Sequence, residues 1–128
     1  MSNSAEKISD AELEVLKVLW SNESPMSERQ IVDVLIAQNN WHRATIQTLI
    51  RRLCEKNVIK KEKKDIFYFS PIVTETELAK ERTVDLLNKV FGGNAINLIS
   101  TLLGNDILSE DDMDALKKYW KERKSENE

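Results

Sequence analysis

One stretch of the chain, residues 41–64, contains a cluster of side chains that could bind a negatively charged partner. This stretch contains eight lysines or arginines and only two acids, although the whole chain has a formal net charge of −3. Lysine and arginine clustered on one face neutralise phosphates and release the counterions that condense on a nucleic acid. The alternative is a charged helix end that only keeps the surface solvated, and charge alone does not decide between the two.

Within this stretch, apolar residues recur with helical spacing between residues 43 and 56. Ile46, Leu49, Ile50, Leu53 and Cys54 fall at i, i+3, i+4, i+7 and i+8, which predicts a helix that buries this side in a core. The opposite side carries small, polar and basic residues that suit base edges and phosphates in a major groove. They are Ala44, Thr48 and Arg51, with Gln47 and Arg52 at the flanks, and the acid Glu55 lies on the same side. An ordinary exposed polar face is the alternative interpretation.

After residue 57 the pattern changes from helical to alternating, which predicts a β-hairpin. Val58 and Ile59 begin its first strand, residues 60–65 form a charged turn, and residues 66–70 form the returning strand. Lysines in such a turn are placed to bind phosphates, a contact that positions a protein on DNA without reading its sequence. They are Lys61, Lys63 and Lys64. A basic helix followed by a hairpin is the order of parts expected of a winged helix-turn-helix that binds DNA.

The returning strand carries aromatic residues at alternate positions. We expect Phe67 and Phe69 to close the core beneath the helix, and Ile66 and Tyr68 to point the other way. An RNA-binding aromatic sheet is the competing interpretation, although a two-stranded hairpin offers little surface on which bases can stack. His42, just before the basic helix, could act as a helix cap or as a phosphate contact.

Two further amphipathic helices precede the basic one. The capping-box spacings of Ser9 with Glu12 and of Ser27 with Gln30 mark where they begin. We expect Glu12 to face solvent together with the other charged residues of the first helix. The buried stripes are Leu13, Leu16, Leu19 and Trp20 in the first helix and Ile31, Val34 and Leu35 in the second, which ends near Asn39.

The composition narrows the class of protein. Two prolines and three glycines among 128 residues, of which 32% are charged, predict a mainly helical fold with a small β-hairpin. One cysteine and one histidine are too few for a zinc site within this chain, so we expect no metal and no cofactor. Without a Gly-rich phosphate loop or a Cys/His pair, we expect no enzyme. Because no apolar run resembles a signal peptide or a membrane span, we expect a cytoplasmic protein with no membrane partner.

Pro71 marks a boundary beyond which the charge changes sign. Residues 73–128 contain eight basic and twelve acidic residues, so we predict a DNA-binding domain at 1–72 and a helical dimerisation region at 73–128. Three helices in so few residues would leave apolar stripes uncovered, which favours a homodimer; folding back onto the first domain is the alternative. The expected dimer interface consists of Leu78, Val84, Leu87, Val90, Phe91, Ile99, Leu102, Leu116 and Trp120.

Three segments, taken in order, resemble one known family. They are ISDAELEVLKVLW near the start, WHRATIQTLIRRLCEKNVI in the basic region and IFYFSP in the hairpin. Their order is similar to that in the BlaI/MecI/CopY family of bacterial transcriptional repressors, and the resemblance covers nearly the whole chain. It implies a homodimeric repressor that binds an inverted-repeat operator in double-stranded DNA through a winged helix. A winged helix that serves only protein–protein interaction is the alternative function.

The resemblance also implies particular DNA contacts. Wing contacts would fall near residues 61–64, and contacts of the recognition helix would fall on Arg43, Ala44, Thr45, Gln47, Thr48 and Arg52. Related repressors often carry a basic residue where this chain has Ala44 or Gln47. We therefore do not assign the TACA/TGTA type of half-site to this chain.

Family members respond to two kinds of signal, and this chain departs from both. Copper-type members end in Cys-x-Cys motifs that bind Cu(I), whereas this chain ends in KYWKERKSENE, so we expect no copper response. Penicillinase-type members are cut by a protease at an Asn-Phe bond, and the nearest register here reads Thr101 and Leu102. We expect release by cleavage or by another partner acting on residues 96–103. Such a change would separate the two DNA-binding halves and lower their effective concentration.

Overall fold

A computed structural model describes residues 8–126 of the chain and is mainly helical, with a small antiparallel sheet. Its elements are α1 (Asp10–Ser21), β1 (Met26–Ser27), α2 (Glu28–Asn39), α3 (Arg43–Glu55), β2 (Ile59–Lys63), β3 (Phe67–Pro71), α4 (Glu75–Phe91), α5 (Ala95–Gly104) and α6 (Glu110–Glu126). The predicted fold class is confirmed. The chain divides into two compact units, of which the first ends at Thr83 and the second begins at Val84. Each helix within residues 8–126 is too short or too polar to span a lipid bilayer.

Both predicted capping boxes are present at the starts of α1 and α2. The hydroxyl of Ser9 accepts from the backbone N–H of Glu12 at 3.1 Å, and the Glu12 carboxylate accepts from the N–H of Ser9 at 2.9 Å. Ser27 and Gln30 form the same reciprocal pair at 3.2 and 2.8 Å. Because these bonds satisfy backbone donors that the first helical turn leaves without partners, local sequence alone specifies where the two helices begin.

The predicted hairpin is present as β2 and β3, but it belongs to a three-stranded sheet in the order β1-β3-β2, and β1 was not predicted from the sequence. The added strand, β1, pairs Met26 with Phe69. The first hairpin strand continues to Lys63, which places Lys61 and Lys63 in β2 rather than in the turn. Pairing with β3 holds these lysines in extended conformation while their side chains stay in water. Charge therefore marks the solvent side of this strand and not its end.

The core of the first unit lies between α1, α2, α3 and the sheet. Most residues of the predicted helical stripes are buried in it, while Leu13, Trp20, Val34 and Cys54 lie at its edge. The stripes missed Val15 and Val18 of α1 and Val32 of α2. Helix α1 contacts α2, α3 and β3, and α2 contacts α1, α3, β1 and β3, so each of the two helices is covered on more than one side. The buried hydrophobic residues are Ile8, Val15, Leu16, Val18, Leu19, Met26, Ile31, Val32, Leu35, Ile46, Leu49, Ile50, Leu53, Val58, Ile59, Phe69 and Leu78.

The prediction that Glu12 faces solvent is wrong. Glu12 is only 2% exposed, and its carboxylate accepts a hydrogen bond from the ammonium group of Lys56 at 2.6 Å. Lys56 is the C-cap residue of α3, so this pair joins the start of α1 to the end of α3. An acid at the start of a helix is ordinarily a surface residue, and only the approach of α3 buries this one.

Helix α4 extends the first unit beyond the predicted boundary at residue 72. Leu78 is 2% exposed and belongs to the core of that unit, so its predicted place in a dimer interface is wrong. The guanidinium of Arg82 donates to the carbonyl oxygen of Ile8 at 2.6 Å and lies 3.8 Å from the carboxylate of Asp10. An apolar stripe shows that a helix face is covered, but it does not show which part of the chain covers it.

The second unit comprises the end of α4, α5 and α6. Two glycines with positive φ, 58° at Gly92 and 82° at Gly93, end α4. Asn94 caps α5, and the reciprocal hydrogen bonds of Ser109 with Asp112 cap α6. Neither α5 nor α6 has a buried residue. Among the predicted interface residues, Val84, Val90, Ile99, Leu116 and Trp120 are exposed, and Leu87, Phe91 and Leu102 are half-buried.

Candidate nucleic-acid interface

Helix α3 presents its polar side because its apolar side is anchored. Ile46, Leu49, Ile50 and Leu53 are buried against α1 and α2. This packing leaves the predicted reading residues accessible: Arg43, Ala44, Thr45, Gln47, Arg51 and Arg52 are exposed, and Thr48 is half-buried. Arg43 and Thr45, which come from the family resemblance and not from periodicity, are both in the first turn.

The N-terminus of α3 suits an anionic partner. His42 occupies the N-cap position with extended backbone, but its side chain makes no cap hydrogen bond, so the interpretation of His42 as a side-chain cap is wrong. Its role as a phosphate contact stays a prediction. The first turn of α3 contains no acid. The partial positive charge of the helix end is therefore available to a phosphate that approaches Arg43 and Ala44.

The wing, defined here as β2, β3 and residues 64–66 between them, carries its lysines beside aromatic rings. The ammonium groups of Lys61 and Lys63 lie 4.2 and 4.8 Å from the ring centre of Phe67. That of Lys64 lies 6.0 Å from the ring of Tyr68. The prediction that Phe67 closes the core is wrong, since it is 43% exposed, whereas Phe69 is buried as predicted. The core ends at Phe69, and Phe67 lies farther along the strand towards the tip.

A cleft of about 500 Å³ brings the two predicted parts of the interface together. On one side are residues of α3, including Ala44, Thr48 and Arg51, and on the other are Lys61 and Phe69 of the wing. The remaining lining residues are Glu28, Gln47, Ile50, Cys54 and Glu55. Residues far apart in sequence thus surround one space that is bordered by two cations, two acids and hydrogen-bonding side chains. Arg51 lies 3.7 Å from the carboxylate of Glu55, so Lys61 is the cation in this cleft that is nearer to the tip of the wing.

Hydrogen bonds within the protein orient two of the predicted reading residues. The amide nitrogen of Gln47 donates to the carboxylate of Glu28 at 2.9 Å, which directs its amide oxygen away from Glu28. The hydroxyl of Thr48 donates to the carbonyl oxygen of Ala44 at 3.0 Å. Both side chains therefore offer oxygen atoms as acceptors. Sequence reasoning missed Glu28, because nothing in the sequence places the first residue of α2 beside the middle of α3.

Cys54 lies at the edge of this cleft. It is half-buried and packs against the core. Burial raises the pKa of its thiol above the ordinary value and outweighs the opposing charge of Lys61. The thiol is therefore protonated near neutral pH and weakly nucleophilic. Over residues 8–126, no cluster of three or more His, Cys, Asp and Glu side chains is arranged to hold a metal ion.

Comparison with known proteins identifies the family. A model described as the penicillinase repressor matches residues 8–122. This chain belongs to the penicillinase repressor family. The match spans both compact units, and it confirms the BlaI/MecI part of the resemblance seen in the sequence.

Curated members of the penicillinase repressor family align along most of their length. The penicillinase repressor of Bacillus licheniformis is 30% identical over 120 residues, which cover 93% of each protein. The methicillin resistance regulatory protein MecI of Staphylococcus aureus strain N315 is 30% identical over 118 residues, 91% of this chain and 95% of MecI. Because these alignments cover more than nine-tenths of this chain, the similarity to the family includes both compact units.

A solved structure from the penicillinase repressor family supports the architecture of the first unit. The DNA-binding domain of the repressor BlaI, determined in solution, is 35% identical, with a TM-score of 0.51. The alignment covers 56% of this chain and 87% of the BlaI domain. The predicted winged helix-turn-helix is thereby confirmed, with α2 and α3 as its helix-turn-helix and β2–β3 as its wing.

Proposed function

We propose that this protein is a transcriptional repressor that binds an inverted-repeat operator in double-stranded DNA as a homodimer. The observation that carries the proposal is the cleft of about 500 Å³ between α3 and the wing. Thr48 and Arg51 line it from α3, and Lys61 lines it from the wing. Its relatives are repressors, and the BlaI domain it resembles is a DNA-binding domain. An operator with twofold symmetry would match the symmetry of two chains.

The side chains divide into those that hold DNA and those that read it. The cations of α3 and of the wing neutralise phosphates, which supplies most of the affinity, while Gln47 and Thr48 contact base edges. The small side chain of Ala44 lets the start of α3 approach the bases. The proposed contact residues are Arg43, Ala44, Thr45, Gln47, Thr48, Arg51 and Arg52 of the recognition helix and Lys61, Lys63 and Lys64 of the wing.

The second unit is the proposed dimerisation region. Residues 84–126 carry large apolar side chains in water, among them Val90 at 65% and Trp120 at 66% exposure. A second chain would cover such surface and thereby lower its free energy. The proposed interface is the predicted set without Leu78: Val84, Leu87, Val90, Phe91, Ile99, Leu102, Leu116 and Trp120. We place the dimer in the cytoplasm, where bacterial DNA lies, and we assign it no catalytic activity.

Induction is proposed to act on the same region. Residues 96–103 lie within α5, where Ile96 and Ile99 are 69% and 47% exposed. A protease or another partner that acts on this segment would disrupt a dimer built on it. Each separated monomer would then bind only one half-site. It would lose the higher affinity that the dimer has because it binds two half-sites at once.

Binding to duplex DNA at several salt concentrations tests the function. Fragments of the source genome retained by the purified full-length protein supply the operator, and a scrambled duplex of equal length is the control. We expect tight binding to the selected fragment, weaker binding to the scrambled duplex, and affinity that falls steeply with salt for both. Equal binding to both duplexes would contradict sequence-specific recognition. Absence of salt-dependent binding would favour a protein-interaction module instead.

A further inference from the structure

Phe67 is an exposed aromatic residue near the tip of a basic wing, and its packing does not explain its presence. Its side chain contributes little to the core, which ends at Phe69. In the register of the hairpin, Phe67 is directly opposite Lys63, and Phe69 is opposite Lys61. Because alternate residues share a face of a sheet, Phe67 has one lysine beside it and a second on the diagonal.

Both of these lysines reach the same ring. The ammonium group of Lys61 lies 4.2 Å from the ring centre and that of Lys63 lies 4.8 Å from it. The face of an aromatic ring carries partial negative charge and attracts a cation within about 6 Å of its centre. The ring therefore opposes the repulsion between two ammonium groups on one face of a strand. A leucine of similar volume would provide the apolar contact without this attraction.

We propose that Phe67 is a positioning residue that prearranges Lys61 and Lys63 for two phosphate contacts of the wing. This inference rests on the proposed DNA-binding function, because phosphate is the ligand of both lysines. A lysine side chain loses much rotational freedom when it is fixed on a ligand, and a side chain already confined over a ring loses less. The ammonium group keeps N–H donors for the phosphate while its stem stays near the ring.

An alternative role for an exposed phenylalanine in a wing is that of an apolar wedge inserted between base pairs. The two roles respond differently to leucine. A wedge needs an apolar side chain, which Phe67→Leu retains, whereas the attraction to Lys61 and Lys63 needs the ring. Phe67→Tyr retains the ring and should behave like the wild type under the proposal.

The DNA experiment compares the salt dependence of binding for matched variants of the full-length protein. We expect Phe67→Leu to weaken binding about threefold to tenfold on cognate and scrambled duplexes alike, with the slope against salt unchanged. Lys63→Gln should lower the magnitude of that slope by about 0.9, because one phosphate contact is lost. Ile72→Ala, which removes an exposed apolar side chain outside the wing, should leave affinity unchanged. Wild-type affinity in Phe67→Leu, or an equal loss in Phe67→Tyr, would overturn the proposal.

A measurement without DNA separates this proposal from the function on which it rests. Ring currents should shift the Cε proton resonances of Lys61 and Lys63 upfield, and Phe67→Leu should abolish these shifts. Unshifted resonances in a wild-type protein that binds DNA would overturn the role of Phe67 and leave the repressor function standing. Shifted resonances in a protein that shows no salt-dependent DNA binding would instead overturn the repressor function.

Discussion

Replacement of Lys56 by methionine should destabilise the first unit and reverse part of its response to acid. The ammonium group of Lys56 donates to the Glu12 carboxylate at 2.6 Å, and Glu12 is 2% exposed. Removal of one partner of a buried pair leaves the other charge without compensation. Because the Lys56 side chain keeps 28% of its surface exposed, we expect a loss of about 3 kcal/mol, the lower end of the range for such pairs.

The reversal follows from the forces on the Glu12 carboxyl group. Burial, the largest single effect, raises its pKa, but the hydrogen bonds from Lys56 and Ser9 and the charges of Lys56 and Arg52 together hold the pKa below its ordinary value of 4.5. In the wild type, ionised Glu12 therefore stabilises the fold above pH 4.5, and this contribution is lost as the pH falls through the lowered pKa. Without Lys56, only the Ser9 hydrogen bond and the charge of Arg52 still lower the pKa of Glu12, so we expect burial, the largest single effect, to raise this pKa above its ordinary value. The folded variant then binds a proton more readily than the unfolded chain, so its Glu12 contribution improves as the pH falls.

Urea unfolding at fixed protein concentration, at neutral pH and at about pH 4, measures both effects. Glu12→Gln serves as the matched control, because it keeps an acceptor for Ser9 and Lys56 but removes the charge. The double variant completes a cycle that isolates this pair from any other contact of Lys56. We expect a coupling of at least about 1 kcal/mol. A Lys56→Met variant that loses no stability at neutral pH, or that weakens on acidification as the wild type does, would refute the reasoning.

Four other expectations concern assembly, readout and induction. Leu87→Asp should convert the dimer to monomers in sedimentation and weaken operator binding, and a wild-type monomer at micromolar concentration would contradict the proposed interface. Thr48→Ala should cost about 1 to 3 kcal/mol on the operator and little on scrambled DNA, whereas Lys64→Ala should weaken both equally. Glu28→Gln should relax discrimination at the base pair read by Gln47 and raise affinity for scrambled DNA, because it removes a negative charge from the interface; unchanged discrimination would remove Glu28 from readout. Cu(I) added to the complex should cause no dissociation, as a gel-shift titration would show.

Local features of the sequence predicted most of the first unit. The pairs of Ser9 with Glu12 and of Ser27 with Gln30 determine helix starts through contacts three residues apart, and the stripe of α3 determines which side is buried. The same stripe determines, by exclusion, which residues can face DNA. Alternation after residue 57 predicted the hairpin, since the side-chain period of a strand is visible without knowledge of its neighbours.

The misses share one physical cause, which is that burial depends on what a side chain meets. The sequence does not indicate that β1 joins the sheet, that α3 covers Glu12, or that Leu78 enters the first core. Phe67 and Phe69 are the same residue type at alternate positions of one strand. Phe69 is buried and Phe67 is exposed only because the core ends between them.

The sequence by itself thus determined the helix starts, the buried side of α3 and the location of positive charge, because each depends on residues within one or two turns of the chain. Only the tertiary structure decided that Glu28 orients Gln47, that Lys61 lies across a cleft from Arg51, and which unit contains Leu78. These relations join segments separated by many residues, and the packing of helices and strands sets their distances. A pattern along the chain contains the period of an element but not the identity of the surface that packs against it.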